Sequence, residues 1–294
     1  MVAPTPARYV YYFPQAGLSA PAIQMVVGSY ELGTPVVDFD AQTGIHQSVV
    51  GDFVDFGNAS GMNVIEARWQ AGYMDWINLI PVDRWAAAGI AGGCCDAEIE
   101  AWARAYAAWQ NQGGGRISFI VPFPEMNGTW TSYGYAPSYF KSAWARVRAI
   151  FDREGATAYW IFAPNGWSAP PFGIRDYYPG DDLVDAVALS GFNWGACVGQ
   201  TWQMPQQVFG PYIAEVRGLT NKPLWISQIG TSEVGGDKGA WLSAAYAYFL
   251  EQRVRGAIYF SLDKECNWAV TPTQYRAAIT RPGIGYTRPW NLKP

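Results

Sequence analysis

The sequence predicts an α/β fold, a parallel (β/α)8 TIM barrel forming a single domain over residues 1–294. Three observations point there. Eight short apolar runs recur along the chain, and they read apolar on both faces, as strands covered on both sides of a parallel sheet do. Helical patterns lie between several of them. No linker, low-complexity run or internal repeat divides the 294 residues, and barrels of about 250 residues commonly form one domain.

Taken in order, the predicted strands are "RYVYYF", "PVVDFD", "NVIEARW", "RISFIVPF", "AYWIFAPN", "AVALSGFN", "PLWISQIG" and "GAIYFSLD". The helix signals are clearest in three places. "DAEIEAWARAYAAWQNQGGG" sets Ile99, Trp102, Tyr106 and Trp109 on one face, with Asp96 at the N-cap and a glycine stop. "SYFKSAWARVRAIFDREG" repeats the plan with Phe140, Trp144, Val147 and Phe151, capped by Ser138, and "KGAWLSAAYAYFLEQRV" is a third. The tryptophans of these helices are expected in the core.

Composition narrows the function. Aromatic residues reach 16% with 15 Trp and 18 Tyr, while charged residues are only 15%, below the average of about 25%. That suits a large aromatic core together with a groove of flat rings for sugars. Net charge is −4 and no basic run occurs, which argues against nucleic acid as a partner. No apolar stretch reaches the ~18 residues of a membrane span. One histidine, His46, and no Cys-x-x-Cys pair leave no Cys/His zinc site. The four cysteines read as free buried thiols or as one disulfide, Cys197–Cys266, both members following predicted strands.

In such a barrel the active site lies at the C-terminal strand ends. The residues there are Glu66 and Arg68 after the third strand, Glu125 and Asn127 after the fourth, and Asn165 and Trp167 after the fifth. Asn193 and Trp194 follow the sixth, Gln228 and Glu233 the seventh, and Asp263, Glu265 and Trp268 the eighth. Acids, amides and tryptophans without His or Cys fit glycoside hydrolysis, in which a carboxylic acid protonates the leaving oxygen. For Glu66 and Arg68 an internal ion pair is an equal expectation, and Asn127 also suits a turn before Gly128.

The segment "PFPEMNGTWTSYG" resembles the Glu-Met-Asn-Gly-x-Trp signature of glycoside hydrolase family 26, whose best-known members are β-mannanases. "IAGGCCDAEIEAWARA", "YYPGDDLVDAVALSGFNWG", "KPLWISQIGTSE" and "YFSLDKECNW" resemble further family segments in the same order, over roughly residues 60–270. The resemblance implies a secreted retaining (β/α)8 hydrolase that needs no cofactor and acts as a monomer on a β-linked polysaccharide or oligosaccharide. β-1,4-Mannan is the first expectation, with mixed-linkage β-glucan and β-1,3-xylan next. It makes Glu125 the general acid/base and puts Gln228 at the nucleophile position. Sugar contacts fall to Trp130, Trp268, Trp167, Trp194, Asn127, Asn193, Arg68 and Asp263. Three departures cluster: Pro124 stands where the family has His, Phe192 where it has a Tyr bonded to the nucleophile, and Gln228 where it has Glu. Glutamine cannot act as an anionic nucleophile. The chain is then a hydrolase disabled by a Glu-to-Gln change, a site with another base such as Glu233, Asp263, Glu265 or Glu66, or a glycan-binding barrel without turnover.

Overall fold

The computed structural model describes residues 23–82, 84–288 and 291–294. Eight strands are all parallel and close in sequence order: β1 (Val26–Tyr30), β2 (Val49–Asp55), β3 (Met74–Ile80), β4 (Phe119–Pro122), β5 (Tyr159–Phe162), β6 (Ala186–Asn193), β7 (Leu224–Thr231) and β8 (Gly256–Tyr259), with β8 pairing back to β1. The helices are α1 (Val36–Thr43), α2 (Met62–Gln70), α3 (Ala87–Ala91), α4 (Asp96–Gln110), α5 (Pro137–Arg153), α6 (Ile174–Tyr177), α7 (Pro205–Arg217), α8 (Lys238–Glu251) and α9 (Pro272–Ile279).

Strand alternation separates two cores. Trp76 of β3, Phe119 of β4 and Trp225 of β7 meet inside the barrel, with ring centroids 4.9 to 5.6 Å apart. The alternate residues of the strands point outward to the helices: Phe162 of β5 meets Phe140 and Trp144 of α5. Trp102, Tyr106 and Trp109 of α4 and Trp144 of α5 are fully buried in that outer layer, as their helical spacing predicts. Truncating any of these tryptophans should cost about 3–5 kcal/mol. Helices α8 and α9 are capped at their N-termini by Asp237, which accepts from the Ala240 amide, and Thr271, which accepts from that of Gln274.

Of the first three strand expectations, the second and third are corrected. "RYVYYF" lies outside the described residues. "PVVDFD" falls in α1, whose buried Val36, Phe39, Asp40 and Thr43 follow the i, i+3, i+4, i+7 spacing of a helix face. "NVIEARW" falls in α2, with Ile65, Arg68 and Trp69 buried. The strands in those places carry polar residues: "VVGSY", "VVGDFVD" and "MDWINLI". Asp52 and Asp75 point outward, alternating with inward Gly51 and Trp76, and Arg68 of α2 meets both, at 3.0 and 2.9 Å, along with Glu31 at 3.0 Å. Arg68 is thus corrected as a sugar contact: it belongs to the layer between helix and sheet. Burial pushes the Asp75 carboxyl up to about 7, with the Arg68 guanidinium working against it. Glu66 points to the same layer, bonded to Arg116 and to the Trp109 indole.

Candidate active site

Strand β4 stops at Pro122, and the chain turns through two left-handed residues, Phe123 (φ 55°) and Glu125 (φ 57°). Such conformations are costly for residues with a Cβ and are held by their surroundings. Phe123 is buried against Tyr133 and Phe140, its amide donates to Leu79, and the Glu125 amide donates to Ala163 at the end of β5. The turn delivers Glu125 into a cleft of about 730 Å³ at the C-terminal ends of the strands.

Side chains from three strand ends and loops hold that carboxylate. Asn165 Nδ2 donates to Oε1 at 2.8 Å, Ser190 Oγ of β6 donates to the same oxygen, and Trp130 Nε1 donates to Oε2 at 3.1 Å. Asn127 lies beneath, fully buried. Its amide donates to the carbonyls of Asn165 and Trp167 and to Ser168 Oγ, and its oxygen accepts from the Asn165 amide. Asn127 therefore braces the β4 and β5 loops and does not face the cleft, a correction to its expected sugar contact. Asn193 is corrected likewise: it is fully buried, donates to Thr231 Oγ1 and accepts from the amides of Gly195 and Gln203.

Gln228 of β7 lines the cleft beside its register partner Ser190. It is 5% exposed, and its side chain has no hydrogen-bond partner among the described residues. Two residues further along the same face, Gly230 has no side chain, and the Phe192 ring lies within 2.8 Å of where a Cβ would stand. Phe192 meets Trp268 at 5.0 Å and Phe260 at 5.6 Å, so an aromatic wall adjoins the glutamine.

The tryptophans divide by exposure. Trp130 and Trp167 are each 49% exposed, and their rings stack at 6.1 Å, making a platform beside Glu125. Trp194 is half-buried and meets Trp268 edge-on at 4.9 Å. Trp268 borders the cleft but is 1% exposed, and its carbonyl accepts from the Tyr259 hydroxyl. It backs the wall and offers little face to a ligand. Asp263 is exposed and absent from the cleft lining, which corrects its expected role. Glu233 is bonded by Gln274 outside the cleft. Glu265 does line it, paired with Lys264 at 2.7 Å. Its carboxyl lies below the usual range: partial burial pushes it up, but the Lys264 ammonium and a backbone amide outweigh that.

Several cleft residues escape the strand-end reading. Ser190 lies two residues before Phe192, so period-2 alternation along β6 signals its inward direction. Gln200, Gln203 and Gln207 line the far wall, from an amide-rich loop and the start of α7. A disulfide, Cys197–Cys266, ties the loop after β6 to the loop after β8, fixing the two that carry Trp194, Glu265 and Trp268. Cys94 and Cys95 are free.

No family model matches the chain. Over 216 residues, 67% of the chain, it is 30% identical to Endoglucanase H of Acetivibrio thermocellus; it spans 23% of that relative's length. Among solved structures, a β-mannanase of glycoside hydrolase family 26 from Bacteroides ovatus superposes with a TM-score of 0.69 at 14% identity, covering 92% of this chain and 94% of that one. A Bacillus subtilis mannanase gives 0.67 at 16%, covering 89% and 86%. A modular endo-β-1,4-mannanase from Cellulomonas fimi gives 0.66 at 14%, covering 92% and 74%. The chain has the (β/α)8 barrel fold of the family 26 β-mannanases.

Proposed function

We propose that the chain is a glycoside hydrolase that protonates the leaving oxygen of a β-linked polysaccharide from Glu125. The observation that carries this is the setting of Glu125: one carboxyl on the cleft floor, held from three sides, beside a half-exposed tryptophan pair. A positioned acid of this kind contributes roughly 10²–10⁴-fold, and stacked indoles suit the flat faces of sugar rings. Likeness to the mannanases and to Endoglucanase H favours β-1,4-mannan first, then mixed-linkage β-glucan, as the glycan that the cleft takes up, with β-1,3-xylan a further candidate. The disulfide supports secretion into an oxidising compartment, and among the described residues no helix is long and apolar enough to cross a membrane.

Gln228 bears on the mechanism. In a retaining enzyme a second carboxylate attacks C1, and an amide has no anionic oxygen to do so. In that retaining scheme, sugars with a free 2-hydroxyl take the nucleophile from the protein. Turnover of mannan and mixed-linkage glucan is therefore the expected property of Gln228→Glu rather than of the chain as it stands. The test is hydrolysis of a mannan, glucan and xylan panel by the chain, by Gln228→Glu, and by Gln228→Glu carrying Glu125→Gln. A gain of about 10³-fold or more in the single variant, lost in the double, supports the reading. A binding barrel without catalysis instead predicts bound oligosaccharide and no turnover in all three.

A further inference from the structure

We propose that the sugar cleaved at this site is a β-linked 2-acetamido-2-deoxy residue, whose own acetamide oxygen supplies the nucleophile that Gln228 cannot. This rests on the reading of Glu125 as proton donor and names the substrate class for it.

Gln228 is an unpartnered amide, 95% covered, that borders the cleft. Its side chain borders the open cleft, where a ligand can complete its hydrogen bonds. It offers one acceptor and two donors with no charge. An acetamido group offers the complement: an N–H to donate, a carbonyl oxygen and a methyl. With Gln228 Oε1 accepting that N–H, electron density moves to the acetamide oxygen, and the group is held in one orientation. The methyl needs an apolar wall, and Phe192, Phe260 and Trp268 form one beside Gln228. The only other carboxylate among the cleft-lining residues, Glu265, is committed to Lys264.

The steps balance without another reactant. The acetamide oxygen attacks C1 as the bond from C1 to the leaving oxygen breaks, and Glu125 gives its proton to that oxygen. The resulting cyclic oxazolinium ion keeps its N–H on Gln228. Water then attacks C1 and yields a proton to the Glu125 carboxylate, while the bond from C1 to the acetyl oxygen breaks and the acetamide re-forms. Two inversions retain the anomeric configuration, and one water is consumed per bond cleaved. Substrate assistance of this kind is an established exception to the two-carboxylate scheme.

The experiment uses the chain as it stands, with aryl β-glycosides of N,N′-diacetylchitobiose, mannobiose and cellobiose, and the thiazoline analogue of N-acetylglucosamine as inhibitor. The expected result is cleavage of the chitobioside with retention, at a kcat/KM at least about 100-fold above the mannobioside and the cellobioside. Thiazoline competes, an N-trifluoroacetyl substrate reacts more than about 10-fold slower because its oxygen is less nucleophilic, and Gln228→Ala loses about 10²–10³-fold in kcat. The proposal is overturned if the chitobioside is not preferred, if thiazoline does not compete, or if trifluoroacetylation leaves the rate unchanged. An inert chain whose Gln228→Glu variant cleaves neutral β-glycans overturns this inference alone. A chain and variant inert to every glycoside overturn the hydrolase reading as well.

Discussion

Glu125 accepts from Asn165, Ser190 and Trp130, so its orientation is set before any substrate arrives. Ser190→Ala removes one of those donors and keeps the carboxyl. It should lower kcat by about 10-fold while KM changes little, and should shift the alkaline limb of the pH–rate profile, where the proton donor ionises, which a purely structural residue would not move. The tryptophans make a second contrast. Trp167→Ala should weaken oligosaccharide binding with the melting temperature nearly unchanged, because half of its surface is exposed. Trp268→Ala should cost about 3–5 kcal/mol, read by thermal unfolding, because it leaves a cavity behind the aromatic wall. Sequence places Asn127, Asn193, Trp130 and Trp268 at strand ends alike. It does not say which side chains turn back to satisfy loop amides or fill the wall, since that depends on neighbours brought in from β5, β7 and β8.

At the scale of the element, the last five strands are legible as continuous apolar runs, whereas β1 to β3 are not. Their Asp75 and Asn78 are buried with partners from other elements, Arg68 of α2 for the acid and the Tyr30 hydroxyl of β1 for Asn78, and Arg68 also holds the partly exposed Asp52. Helices α1 and α2 carry paired apolar residues and so pass for strands in short windows. The Arg68 network ties α2 to three strands. Arg68→Met should cost about 3–5 kcal/mol in denaturant unfolding, because it leaves the buried Asp75 carboxyl without its cation. Asp75 gives a pH dependence of defined sign. Its folded pKa is raised, so the fold favours the protonated form. The stability it contributes is fully present below the ordinary carboxylate range and is lost as pH rises through about 7. Melting temperatures between pH 4 and pH 8 should fall less steeply in Asp75→Asn than in the parent chain.

Across the whole molecule, a closed barrel collects the ends of all eight strands at one mouth, and one disulfide spans 69 residues of sequence to tie two of its loops. Cys197→Ser with Cys266→Ser should lower stability by about 2–4 kcal/mol and weaken oligosaccharide binding through the loops that carry Trp194 and Glu265. The central claim is that Glu125 donates the proton to the leaving sugar. It is tested most directly by comparing leaving groups in the Gln228→Glu background, using mannotetraose and dinitrophenyl β-mannobioside, each with and without Glu125→Gln. With a leaving group as basic as a sugar alkoxide, the second change should cost about 10³-fold or more in kcat/KM. With a dinitrophenolate, which needs no proton to depart, it should cost almost nothing. Equal losses for both leaving groups, or no loss for either, would contradict the account.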